Sequence, residues 1–132
     1  MSNNRVPRTL TAVLVEETDE DIVVTWGLGE PAEGSFQFFG YGLAYYGRDG
    51  NGGKRFGVRL SDTQEVTAFI FDHASATQAN YTEDGVMLRE DAIVVRYRDA
   101  SIGLDDIGII NAYSHTNGRD RQVDVPVTLM GR

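Results

Sequence analysis

Phe36-Gln37-Phe38-Phe39-Gly40-Tyr41-Gly42-Leu43-Ala44-Tyr45-Tyr46, followed across a glycine-rich turn by Arg55-Phe56-Gly57-Val58-Arg59-Leu60, is the stretch that decides the fold. In the second segment Phe56, Val58 and Leu60 alternate with Arg55, Gly57 and Arg59, a period of two that fits a strand with one face in a core. The first segment is apolar on both sides: Phe39, Tyr41, Leu43 and Tyr45 share one face of an extended chain, and Phe36, Phe38, Ala44 and Tyr46 share the other. Between the two, Arg48-Asp49-Gly50-Asn51-Gly52-Gly53 holds Asp-Gly and Asn-Gly, pairs that tolerate the positive φ of a hairpin turn.

The same period recurs outward in both directions. Leu10, Ala12 and Leu14 alternate with Thr9, Thr11 and Val13. Ile22, Val24, Trp26 and Leu28 form a second set, Ile93, Val95 and Tyr97 a third, and Val123, Val125, Val127 and Leu129 a fourth. Residues 66–71, like 36–46, are apolar on both sides and fit a central or covered strand. Asn117-Gly118 supplies a second hairpin signal. Pro126 has no N–H and belongs at a sheet edge or a bulge. The best candidate for a helical turn is residues 72–80, where Ala74, Ser75, Ala76 and Ala79 cluster. About seven or eight closely spaced strands without crossover helices point to an all-β, single-domain antiparallel β-sandwich, immunoglobulin-like or jelly-roll-like, with a small β-barrel as the competing architecture. Residues 1–7 read as a polar N-terminal arm and 8–132 as the sandwich domain.

Composition narrows the function classes. Twelve basic and 20 acidic residues leave a net charge of −8, so the overall field does not favour nucleic acid or an anionic membrane surface. There is no cysteine, hence no disulfide. No run approaches the ~18 apolar residues of a spanning helix, so no membrane insertion is expected. The start lacks an apolar h-region, so no signal peptide is expected, and a soluble cytoplasmic or virion location follows.

Several groups are candidates for chemistry. Asp49 and Asn51 in the glycine-rich turn offer oxygen ligands that would suit calcium, the one cofactor to consider; a glycine-rich hairpin explains the same residues without metal. His73 and His115 have serines and aspartates nearby in sequence, but no Gly-x-Ser-x-Gly elbow and no metal-ligand spacing accompany them. The acid pairs at Asp19-Glu20-Asp21, Glu83-Asp84, Glu90-Asp91 and Asp105-Asp106 read as solvated turn residues. Arg55, Arg59, Arg96 and Arg98 lie on outward strand faces and would set register against an acidic neighbour. The aromatic strand is the most unusual feature, and its second face must be covered by a loop, by sugar rings or by another subunit.

The alternating strands, the early Trp26 and the late Asn117-Gly118 hairpin resemble immunoglobulin-like and fibronectin-type sandwiches, without the cysteine pair of antibody domains. Residues 93–103, a strand followed by Ile102-Gly103-Leu104, resemble part of some carbohydrate-binding sandwiches. Such likeness implies architecture and no function. The expectation is a non-enzymatic protein working through contacts with other protein subunits, itself included, as a structural component of a larger assembly such as a phage head or tail. Phe39, Tyr41 and Tyr45 are the expected contact residues. The alternative is a carbohydrate- or small-ligand-binding module assisted by calcium.

Overall fold

The alternation of residues 55–60 is realised as one strand of a hairpin at the centre of a two-sheet sandwich. The structure, a computed structural model, describes residues 6–32, 34–49, 52–63, 65–81, 85–98, 100 and 107–130. The described residues form eleven strands: β1 (Arg8–Glu17), β2 (Ile22–Pro31), β3 (Phe38–Gly47), β4 (Lys54–Ser61), β5 (Val66–Asp72), β6 (Thr77–Tyr81), β7 (Val86–Leu88), β8 (Ala92–Tyr97), β9 (Ile107–Thr116), β10 (Arg119–Val125) and β11 (Val127–Met130). Five form one sheet in the order β11-β1-β2-β8-β7, and six form the other, β10-β9-β3-β4-β5-β6. Neither sheet closes on itself, so the barrel alternative falls. Every pairing is antiparallel except β1 with β11. No helix among the described residues is long and apolar enough to cross a membrane.

The core is the facing inner surfaces. Val13, Val15, Ile22, Val24, Trp26, Ile93, Val95 and Tyr97 come from the five-stranded sheet. Phe39, Tyr41, Leu43, Tyr45, Phe56, Val58, Leu60 and Ala68 answer from the other. Two tyrosine hydroxyls reach across it. Tyr97 Oη donates to the Gly57 carbonyl at 2.7 Å, and Tyr41 Oη accepts from the Arg8 N–H at 2.9 Å. Burial pushes the Tyr41 hydroxyl up to about 12 and raises that of Tyr97 as well. Both therefore stay protonated, and Tyr97 remains a donor.

Eleven strands stand where about seven or eight were expected, for identifiable reasons. β6 and β7 are short, and β6 is polar, so neither has an apolar alternation to read. The terminal strand is two strands: β10 belongs to the six-stranded sheet and β11 to the five-stranded one, with Asp124 at φ 59° and Pro126 at the corner between them. Strands that switch sheets turn such corners at bulges and bends, where a missing N–H costs nothing. Residues 72–80 make no helix. Asp72 Oδ1 accepts from the Ala74 N–H at 2.9 Å, an Asx turn that leads into β6. In β1 the phase of the alternation flips: Leu10 is buried, but Val13 and Val15 then point inward while Ala12 is exposed. Register shifts around Leu10 mark the bulge responsible. The side-chain amide of Gln122 on β10 serves that bulge, accepting from the Leu10 N–H at 2.7 Å and donating to its carbonyl at 2.9 Å.

The Asn117-Gly118 turn forms as the sequence predicts. Both residues have positive φ, 53° and 81°, as a type I′ hairpin requires. Asn117 Oδ1 also accepts from the Gln37 N–H at 2.7 Å, tying this turn to the entry of β3. Of the arm expected over residues 1–7, residues 1–5 lie outside the described set. Pro7 is buried, and its carbonyl accepts from the Ala32 N–H at 2.8 Å.

The Tyr97–Gly57 bond gives a direct test. Tyr97→Phe keeps the ring and removes the buried donor, so stability measured by urea unfolding should drop by about 1–2 kcal/mol. An unchanged midpoint would show that the hydroxyl does not tie the sheets.

Candidate functional site

The expected contact residues Phe39, Tyr41 and Tyr45 are in the core, with 1%, 2% and 5% of their surface exposed. That is a correction, and parity explains it. The face they share with Leu43 is the one turned to the opposing sheet, so the second face of β3 is the outer one. Burial, with Asp72 and Glu17 adding to it, pushes the Tyr45 hydroxyl up to about 12. The four arginines also divide. Arg55 and Arg59 project from β4 on the outer face of the six-stranded sheet. Arg96 is on the outer face of the other sheet and Arg98 in the turn beyond it, so no single guanidinium stripe forms. Arg96 Nε holds Asp21 Oδ2 at 2.6 Å, and Asp21 is buried, not solvated as the acid run suggested. The Arg98 carbonyl accepts from the Tyr81 hydroxyl at 3.2 Å.

The outer face of the six-stranded sheet is where unusual chemistry collects, and the strand register lays it out in rows. The central row pairs Tyr113 with Gly42, Gly42 with Gly57, Gly57 with Phe69 and Phe69 with Asn80. On one side of it runs Asp120, His115, Gly40, Arg59 and Thr67. On the other runs Asn111, Ala44, Arg55, Phe71 and Gln78. Beyond that, Ile109 pairs with Tyr46.

The two facing glycines make the rings lie down. A Cβ on Gly42 would overlap the Tyr113 ring, and one on Gly57 would overlap the Phe69 ring. Each aromatic therefore reaches sideways over its cross-strand glycine, covering backbone that would otherwise be bare. The flanking guanidinium groups join the same layer: Arg59 sits 4.0 Å over the Phe38 ring and Arg55 5.4 Å over that of Tyr113. His73 stacks on Tyr46 at 4.8 Å and 19°, and His115 stacks on Tyr113 at 6.3 Å and 27°. Depressions open on this face among the described residues. One of them, about 550 Å³, is lined by Arg59, Ser61, Glu65, Thr67, Phe69, Gln78, Asn80 and His115.

Neither histidine is assembled for catalysis among the described residues. Ser114 is next to His115 but points into the core, where its hydroxyl donates to Gln122 Oε1 at 3.1 Å. Ser75, near His73, pairs instead with Thr77 Oγ1 at 2.7 Å. The Nδ1 atoms of both histidines are buried and make no hydrogen bond among the described residues. Burial lowers the pKa of His115, with Arg59 and Arg55 adding to the effect and Asp120 opposing it. No three acids or histidines among the described residues gather to hold a metal. Asp49 is exposed, whereas Asn51, Glu83-Asp84 and Asp105-Asp106 lie outside the described residues.

Tyr113, Phe69, Phe71, Gln78 and Asn80 were not singled out from the sequence. The double-sided apolarity of residues 66–71 was a signal for Phe69 and Phe71. For Tyr113 the alternation Ile109, Asn111, Tyr113, His115 was present but has its large residues on the outer side.

Two tests follow. Gly42→Ala with Gly57→Ala should lift both rings, costing about 1–3 kcal/mol in urea unfolding and changing the near-ultraviolet dichroism of tyrosine. Unaltered dichroism would mean the glycines do not seat the rings. For His115, the folded pKa lies below the unfolded value of about 6.5, so the unfolded chain takes the proton first as pH falls. Its contribution is full above about pH 6.5 and declines below, until the folded ring itself titrates. Between about pH 7.5 and about pH 5.5 the native chain should therefore lose more stability than His115→Gln; equal losses would contradict this. Compared with protein-family models, with curated proteins and with solved structures, the chain finds no match in any of the three.

Proposed function

We propose that this β-sandwich is a non-enzymatic structural component of a larger assembly, a phage head or tail being the concrete case, and that it acts through protein–protein contact. One observation carries the reading: the apolar end of the outer six-stranded face. There Tyr46 and Ile109, directly paired, expose 42% and 64% of their surface, and Val123 exposes 59%. Val123, on the neighbouring β10, lines a depression of the same face with Asn111, Tyr113 and Arg55. Exposed apolar and aromatic side chains beside arginine are the composition of an interface centre. Arg55 takes the register-setting role expected of the arginines, and Tyr46 replaces the buried tyrosines as the anchor.

The first partner to test is another copy of the chain. Light scattering on a sizing column should give a mass that rises with concentration above the 14.6 kDa of one chain. Tyr46→Ser with Ile109→Asp should hold it at a single chain while leaving the unfolding midpoint nearly unchanged, since both residues are exposed. A native chain of single-chain mass at every concentration would count against assembly through this face.

A further inference from the structure

The opposite end of the same face differs in chemistry. Its cleft of about 550 Å³ is within the size range of small-ligand sites. The half-buried Phe69 ring forms the floor, laid across Gly57 so that an aromatic surface is presented along the sheet. Around it stand Arg59, Glu65, Thr67, Gln78 and Asn80, all exposed. They supply a guanidinium donor, a carboxylate acceptor, a hydroxyl and two amides that both give and accept. Gln78 Nε2 donates to Asn80 Oδ1 at 2.8 Å, which holds the two amides side by side.

We infer that this cleft binds one neutral hexopyranose unit of a glycan. Glu65 opposes an anion and Arg59 a cation, so the two together select a ligand without net charge. The seven polar side chains that line it, Ser61 and His115 included, disfavour a wholly apolar one, because their hydrogen bonds to water would be lost without replacement. A pyranose matches what remains. Its C–H face packs on an aromatic ring, and its hydroxyl rim needs donors and acceptors in comparable number. The inference does not rest on the assembly reading, which uses the other end of the face.

Saturation-transfer NMR on the full chain tests it, with the methyl glycosides of glucose, galactose and mannose and with N-acetylglucosamine as probes. At least one should receive saturation through its ring C–H protons, and titration should yield a binding constant. Thr67→Ala with Asn80→Ala, both at exposed positions, should weaken that constant about tenfold or more. Met87→Ala, on the outer side of the other sheet, should leave it unchanged. Absence of transfer to all four probes overturns the inference, as does binding that survives the double substitution. If the native chain still gains mass with concentration in that case, the assembly reading stands and only the sugar site falls.

Discussion

At Gly57 both sides of the six-stranded sheet depend on one missing side chain. Its carbonyl takes the Tyr97 hydroxyl from the opposing sheet at 2.7 Å, while the space where its Cβ would be holds the Phe69 ring on the outer side. Tyr97 is in turn held edge-on by Phe56 at 5.0 Å and by Tyr81 at 5.5 Å. A larger residue at Gly57 would disturb the outer layer directly and threaten the core through its own backbone. Gly42, its direct partner, repeats the arrangement with Tyr113. The flat aromatic layer is thus a consequence of backbone packing; Arg55, two residues before Gly57, lies over its Tyr113 ring, and Arg59, two residues after, over the ring of Phe38.

How the sandwich closes explains which side chains that outer face receives. The chain crosses between sheets after β10, and Gln122 enters the gap to satisfy both polar groups of Leu10. Its amide oxygen also accepts from Ser114 on β9. With a polar side chain lodged there, the inner side of β9 is left with Ala112, Ser114 and Thr116, all buried. The large residues of that strand, Tyr113 and His115, therefore face outward. An inverted strand of this kind supplies half of the aromatic floor.

Legibility in the sequence follows the same physics. Strands with apolar residues inward, such as β2, β4 and β8, announce themselves by alternation, and the Asn117-Gly118 turn by its chemistry. β9 does not, because its buried side is small and hydroxylated. β1 misleads by one residue, since a bulge displaces the phase, and the side chain that satisfies the bulge, Gln122, is 112 positions from Leu10 in sequence. The aromatic strand reads as two-faced, but alternation carries no sign: by itself it does not say whether Phe39, Tyr41 and Tyr45 or Phe38 and Tyr46 turn inward. The two glycines at Gly40 and Gly42 hold the clue, because a side of a strand without Cβ atoms cannot fill a core unless rings from its neighbours fill it first.

The two outer faces are not equivalent, and neither are the edges of the six-stranded sheet. On the five-stranded sheet the only aromatics, Trp26 and Tyr97, are buried, and the outward residues include Leu14, Val23, Thr25, Val94 and Thr128. Among the described residues, the strands of that surface turn no aromatic ring outward. Of the two edges of the other sheet, β10 carries Arg119, Asp120, Arg121 and Asp124, a run of charges of the sort that discourages strand addition. β6, Thr77-Gln78-Ala79-Asn80-Tyr81, carries none. A neutral, exposed edge keeps its outer backbone polar groups open to a further strand, and the side-chain amides of Gln78 and Asn80 bond to each other across the outer side of this one. An edge built from amides, beside an aromatic floor and one charge of each sign, is organised for directional hydrogen bonding. The apolar end, with Tyr46 and Ile109, is organised for water exclusion. One glycine-flattened layer connects the two.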